Sequence, residues 1–389
     1  MPLPGGGRER LWSWLSLDAG IPFWMYIVGF PLLLGPLVTL HELGHYLVGR
    51  WFGVQAEAFS VGFGKELWGR TDRRGTRWKL SVLPLGGYVQ FRGDMNPASM
   101  PDRTQATAPG GDGTFQNAPL WQRALIVAAG PVTNILVTLA IFAAFFMAVG
   151  KPVAADPDRQ LTVAGFSEQS TARSAGVAVG DRIVAIDGKP MTDFRDLQEA
   201  VMLYPGKRLA VTVERDGVRR DIAVTAASVE QADRFGNVSK IGLIGVRPAA
   251  ASFAFERQGP LTSVAMAAGY SVEIARMMVT GIGQIVSGER SVKELGGPVK
   301  IAKFSGEQLS LGPLAFINFV ALISLNLAFI NLLPIPGLDG GHLAFYAAEG
   351  IRRKPVGPRG LELAYRTGMG LVLMLMLFVT FNDLVSLVG

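Results

Sequence analysis

Five consecutive residues, His41-Glu42-Leu43-Gly44-His45, carry the strongest chemical signal in the chain. On a helix, side chains at i and i+4 stand on one face. The two imidazoles can then bind one zinc ion, and the carboxylate between them can act as general base on a bound water. The chain has only three histidines, and two of them are here. A catalytic zinc keeps three protein ligands and one open position, so a third ligand is owed. The candidate is Asp339, in the segment Asn331-Leu-Leu-Pro334-Ile-Pro336-Gly337-Leu338-Asp339-Gly340-Gly341-His342. Pro334 and Pro336 cannot continue a helix, so the backbone opens there and presents the carboxylate. The alternative for Asp339 is the N-cap of a short helix starting at Gly340. His342 is a rival ligand, or else a residue behind the ligands or in the loop.

The elements that must position these groups are apolar helices. Charged residues make up 17% of the chain and AVILMFWYC 49%, with a mean hydropathy of +0.31. A soluble domain carries about 25% charge. About twenty apolar residues cross a bilayer as a helix, and four segments qualify: Pro22–Val48, Ala124–Val149, Leu314–Leu333 and Thr367–Phe381, the last extending toward Val388. The motif lies in the last turns of the first and Asp339 just beyond the third, so two distant helix ends must meet at one depth. An ionisable residue inside a span is expensive and marks a function by default.

Lysine and arginine in short loops set orientation. Residues 50–123 carry ten of these charges and residues 352–366 five, and both loops are expected in the cytoplasm, with both termini and the middle segment outside. No cleavable signal peptide is evident, and Trp12 and Trp14 read as an interfacial anchor. Without cysteine there is neither a disulfide framework nor a thiolate metal site. Nothing in the net charge of +6 suggests a nucleic-acid module, because the basic residues flank apolar spans.

Four regions follow: 1–150 with two spans and a hairpin loop, 151–250 as an α+β insertion, 251–310 as amphipathic surface helices, and 311–389 with the last two spans. In the insertion, strands are expected at Leu161–Gly165, Arg182–Ile186, Arg208–Arg215 and Arg219–Thr225, and helices near Gln169–Ala175 and Asp193–Leu203. Leu261–Val286 is apolar but interrupted by Glu273 and Arg276, and is expected to lie on the membrane surface. In the first loop, residues 58–64 and 77–82 read as strands around the turn Asp72-Arg73-Arg74-Gly75. This hairpin is either an ordinary one or a docking edge on which Gly62, Phe63 and Gly64 contact an extended substrate.

The chain resembles the site-2 protease family of intramembrane zinc metalloproteases, of the bacterial regulator-of-sigma-E protease type. The resemblance rests on His41-Glu42-Leu43-Gly44-His45 and Asn331 to Asp339-Gly340. Leu85-Gly86-Gly87-Tyr88-Val89, Gly130-Pro131-Val132-Thr133-Asn134 and Gly296-Gly297-Pro298-Val299 add to it in the same order. It implies a polytopic α-helical membrane protein with four spans, a membrane-associated β-hairpin and a PDZ-like insertion, seen best at Ala175–Gly188. It further implies zinc held by His41, His45 and Asp339, water activated by Glu42, and substrate contacted by Asn331. An interhelical hydrogen bond is the other role open to Asn331. The implied partners are the bilayer and single-span substrates, such as an anti-sigma factor or a remnant signal peptide. The implied place is the bacterial inner membrane, with the insertion in the periplasm and the site near the cytoplasm. Val163–Ser167 lacks the glycine-rich loop that captures peptide termini, so peptide capture and exclusion of bulky substrates stand as equal roles for the insertion. A non-catalytic PDZ-bearing scaffold is the competing reading, and the intact His41, Glu42, His45 and Asp339 speak against it. A transporter would show internal repeats, and none is seen.

Overall fold

The computed structural model describes residues 21–93, 113–154, 156–232, 238–249, 253–288, 291–292, 295–354 and 357–388. Trp12, Trp14 and Arg103 lie outside them. Four described helices are long and apolar enough to cross a bilayer: α1 (Phe23–Trp51), α2 (Leu120–Ala148), α8 (Pro313–Asn331) and α10 (Pro358–Val388, with its apolar stretch between Arg359 and Val385). These are the four expected spans, and the protein is a multi-pass membrane protein. The helices start earlier or end later than their apolar runs because flanking polar residues such as Arg50 and Gln122 are good helix formers.

The chain divides into two units, 1–144 with 263–389, and 145–262. In the first, α1 continues through Pro31 and Pro36. Leu33 and Leu37 on α1 are fully buried in one cluster with Phe316 and Ile323 of α8. Thr138 Oγ1 of α2 bonds the Asn134 and Ala321 carbonyls, at 3.0 and 3.1 Å, and Ser324 Oγ of α8 bonds the Asn134 carbonyl at 2.9 Å. Inside a bilayer such bonds satisfy hydroxyls that lipid cannot. The loop after α1 folds into β1 (Ala56–Thr71) and β2 (Arg77–Phe91), paired antiparallel. Residues 58–61 have partners on both sides, 87–90 and 77–80, so the segment 87–91 forms an edge.

The packing of the helices expected in 251–310 was not legible beforehand. Helix α7 (Pro298–Ser310) packs along α1, with Gly29 against the Ser305 backbone. Its N-terminus is capped by Asp383 from the last span, which accepts from the Gly297 and Lys300 N–H groups at 3.0 Å. Helix α6 (Pro260–Val286) buries Ser263, Ala267, Ser271 and Ile274 and leaves Leu261, Val264, Val272, Val279 and Ile282 exposed. Its exposed face is therefore largely apolar, although Glu273 and Arg276 pair on it at 3.6 Å.

The second unit is α+β. A four-stranded sheet runs β6-β5-β7-β8: β5 (Arg182–Ile186), β6 (Lys189–Pro190), β7 (Arg208–Arg215) and β8 (Val218–Thr225). Strands β9 (Ala227–Ala232) and β10 (Val238–Leu243) pair with each other, as do β4 (Val163–Phe166) and β11 (Val246–Pro248), and β3 (Lys151–Ala154) and β12 (Phe253–Glu256). Helix α3 (Pro157–Leu161) precedes β4, α4 (Thr171–Ala175) follows it, and α5 (Phe194–Met202) covers the core of Val163, Ile183, Leu197, Val201, Val211 and Val213. The expected strands and helices are present within two residues at most ends.

Candidate metal centre and active site

The metal candidates come from two helices. His41 and His45 stand one turn apart on α1, each 7% exposed. Asp339 opens α9 (Asp339–Arg352), after the Pro334–Gly337 break has turned the chain back from α8. The Nε2 atoms of His41 and His45 are 3.2 Å apart. Asp339 Oδ2 lies 3.1 Å from the first and 3.6 Å from the second. A tetrahedral zinc with bonds of about 2.0–2.1 Å holds its ligand atoms about 3.3 Å apart, and these three separations bracket that value. Asp339 Oδ2 is buried without a hydrogen-bond partner, which is costly unless a cation takes its lone pairs. Two imidazole nitrogens facing one carboxylate oxygen fit zinc, and the three side chains are close enough to share one ion.

Each imidazole is oriented from behind. His45 Nδ1 donates to the Ile126 carbonyl of α2 at 2.8 Å, which leaves the Nε2 lone pair for metal. His41 Nδ1 lies 3.3 Å from the Asn134 amide, while Asn134 Oδ1 is buried without a partner. When His41 binds metal through Nε2, its Nδ1 carries the proton and needs an acceptor. Turning the amide so that Oδ1 faces His41 satisfies both groups. Asn134 is fully buried. Its place in Gly130–Asn134 was visible in the sequence, but its role was not, because no spacing rule links residues 93 positions apart.

Close approach of α1 and α2 permits this. A Cβ on Gly44 would overlap Thr133 Oγ1 and the Ala129 carbonyl, and one on Gly130 would overlap the His45 ring.

The three candidate ligands, Glu42, Asn331 and His342 line one cavity of about 280 Å³, with Gly87, Tyr88 and Val89 along its edge. The Val89 N–H donates to Glu42 Oε2 at 3.1 Å, so the hairpin edge holds the carboxylate beside the metal position. Phe63 lies further out, 41% exposed, with its ring stacked 6.3 Å from that of Tyr88, and neither Gly62 nor Gly64 lines the cavity. His342 is not in the ligand cluster: its Nδ1 is 2.7 Å from the Tyr365 hydroxyl.

Comparison with known proteins gives the family. The peptidase family M50 model matches residues 29–375. A protein of Rhizobium meliloti named "Putative zinc metalloprotease" is 45% identical over 92% of this chain and 96% of its own length. One of the same name from Brucella suis is 43% identical over 92% and 94%. The "Metalloprotease MmpA" of Caulobacter vibrioides is 33% identical over 94% and 96%. With nearly its whole length matched and the donor set of a zinc peptidase assembled, the chain belongs to peptidase family M50, the site-2 proteases, and is a zinc metalloprotease.

Proposed function

We propose that the enzyme is an intramembrane endopeptidase that cuts the transmembrane segments of single-span proteins. The observation that carries this reading is the position of His41, Glu42 and His45 within α1, an apolar helix long enough to span a bilayer. His41, His45 and Asp339 hold zinc, which when bound acidifies its water and polarises the scissile carbonyl. Glu42 accepts the water proton and passes it to the leaving amine. Its carboxylate is steadied for this by the Val89 N–H. Asn331, which lines the cavity, contacts the substrate backbone.

A transmembrane helix must unwind before its peptide bonds can be reached, and each freed backbone group costs several kcal/mol in hydrocarbon. An extended segment laid along the hairpin recovers those bonds by strand addition. The edge 87–91 borders the cavity, and Gly62, Phe63 and Gly64 contact the substrate further from the cut. The natural substrate is an anti-sigma-type regulator or a remnant signal peptide. The protein resides in the bacterial inner membrane with the site toward the cytoplasm, because the arginine-rich loops flank it.

The second unit, read as PDZ-like and periplasmic, has two equal roles open to it, a size filter or a peptide-capturing module, and its deletion separates them. Deleting residues 155–248 should raise cleavage of untrimmed substrate if the unit is a filter, and unchanged or lower cleavage argues for capture.

The test of the main reading is cleavage of a model single-span substrate by the purified enzyme. Wild type should cut within the transmembrane segment. Glu42→Gln and chelated enzyme should not, and activity surviving Glu42→Gln would overturn the mechanism.

A further inference from the structure

His342 lines the cavity with Glu42 and Asp339, yet the mechanism above leaves it without a task. It stands one helical turn after Asp339 on α9. Its Nδ1 meets the hydroxyl of Tyr365, a residue of α10 that is 4% exposed. That contact is built into the fold. One turn beyond Tyr365, Gly368 lies against Pro336 so closely that a Cβ would overlap its carbonyl, and this seats α10 on the break before Asp339.

With Nδ1 engaged by Tyr365, Nε2 is the ring atom left for the cavity. Burial holds the His342 imidazole below its ordinary range and so favours the neutral ring. Only one ring nitrogen then carries hydrogen. If that were Nδ1, a lone pair would be turned into a cavity already lined by the carboxylates of Glu42 and Asp339. If the Tyr365 hydroxyl donates to Nδ1, the cavity receives an N–H donor instead, which suits the electrostatics.

We propose that His342 is a further catalytic residue whose Nε2–H donates a hydrogen bond to the scissile carbonyl oxygen, and that Tyr365 is the positioning residue that sets its tautomer. The inference rests on the hydrolytic reading above. The proton stays on Nε2 throughout, and the bond strengthens as the oxygen gains negative charge, while Glu42 alone carries the proton from water to amine. A donor fixed before the charge develops lowers the barrier without reorganisation.

The test uses the full-length, zinc-loaded enzyme and a model single-span substrate. His342→Ala should lower kcat about 100-fold, with KM within about twofold and zinc content unchanged. His342→Gln, which retains an N–H donor, should recover about tenfold of that loss, and Tyr365→Phe should cost about tenfold in kcat. A phosphinic peptide, whose P–O⁻ stands in for the oxyanion, should bind His342→Ala about 10–100-fold more weakly. A reduced-amide peptide lacking that oxygen should bind it as it binds wild type. If His342→Ala does not fold, His342→Gln and Tyr365→Phe decide by the same readouts. Unchanged phosphinic-peptide affinity, loss of zinc, or a rise in KM at constant kcat would overturn the assignment. Full activity of His342→Ala beside an inactive Glu42→Gln sinks this inference alone, whereas an active Glu42→Gln sinks the reading beneath it.

Discussion

Gly130 and His45 contend for one point at the crossing of α1 and α2: a Cβ on residue 130 would overlap the Nε2 that faces the metal position. Gly130→Ala should therefore displace the imidazole and lower zinc affinity more than tenfold, as lost ligand orientation does. Metal analysis of the purified variant checks this. Gly35→Ala on α1, where a Cβ meets nothing within 4 Å, is the matched control and should bind zinc normally.

Among the described residues, the Asn134 amide lies against His41 Nδ1 at 3.3 Å. Replacing it by leucine removes the acceptor and leaves a buried N–H unpaired. Zinc affinity should fall about 10–100-fold while the membrane helices stay folded. Competition with a chelating dye measures the first and thermal melting in detergent the second. Retained wild-type affinity would show that His41 needs no partner behind it.

Asp383 caps α7 from the last span, accepting from the N–H groups of Gly297 and Lys300. It is fully buried, so Asp383→Ala strands those donors away from water. A lost cap costs about 1 kcal/mol and buried unsatisfied donors add more, giving about 2 kcal/mol in all. Hydrogen exchange at residues 297–301 should accelerate first. Exchange no faster than in wild type would mean that α7 is held by its packing on α1 alone.

In the second unit Asp181 is fully buried, accepts from the Ala178 N–H at 2.8 Å and pairs with Arg215 at 2.6 Å. The Arg215 hydrogen bond outweighs the cost of burial and holds the carboxyl below the usual carboxylate range. A carboxyl lowered on folding contributes stability that is complete above its unfolded value and lost as pH falls toward the folded one. The unit should therefore loosen in acid, beginning below about pH 4. Hydrogen exchange of β5 and β7 in the full chain follows it. Asp181→Asn should flatten that acid response and weaken the unit at neutral pH. An acid response identical to wild type would assign the loosening to other carboxylates.

How far each element was legible follows from the range of the forces that make it. The spans, the hairpin and strands such as Arg182–Ile186 and Arg208–Arg215 arise from hydropathy and side-chain alternation within one segment, and both were readable there. The metal motif was readable for the same reason, since i and i+4 share a helix face whatever surrounds them. Asp339 could be named as a candidate because zinc chemistry demands a third ligand. The supporting residues could not. Ile126 and Asn134 behind the imidazoles, Val89 on Glu42, Tyr365 on His342 and Asp383 on α7 act across 23 to 93 positions. Their roles depend on which helices cross and how closely, and glycines such as Gly44 and Gly130 decide that distance. The order of residues thus determined the reaction class and named the candidate ligands. Only the packed helices decided which backbone and side-chain groups orient them, because hydrogen bonds of about 3 Å cannot be specified until the chain has brought both partners to one place.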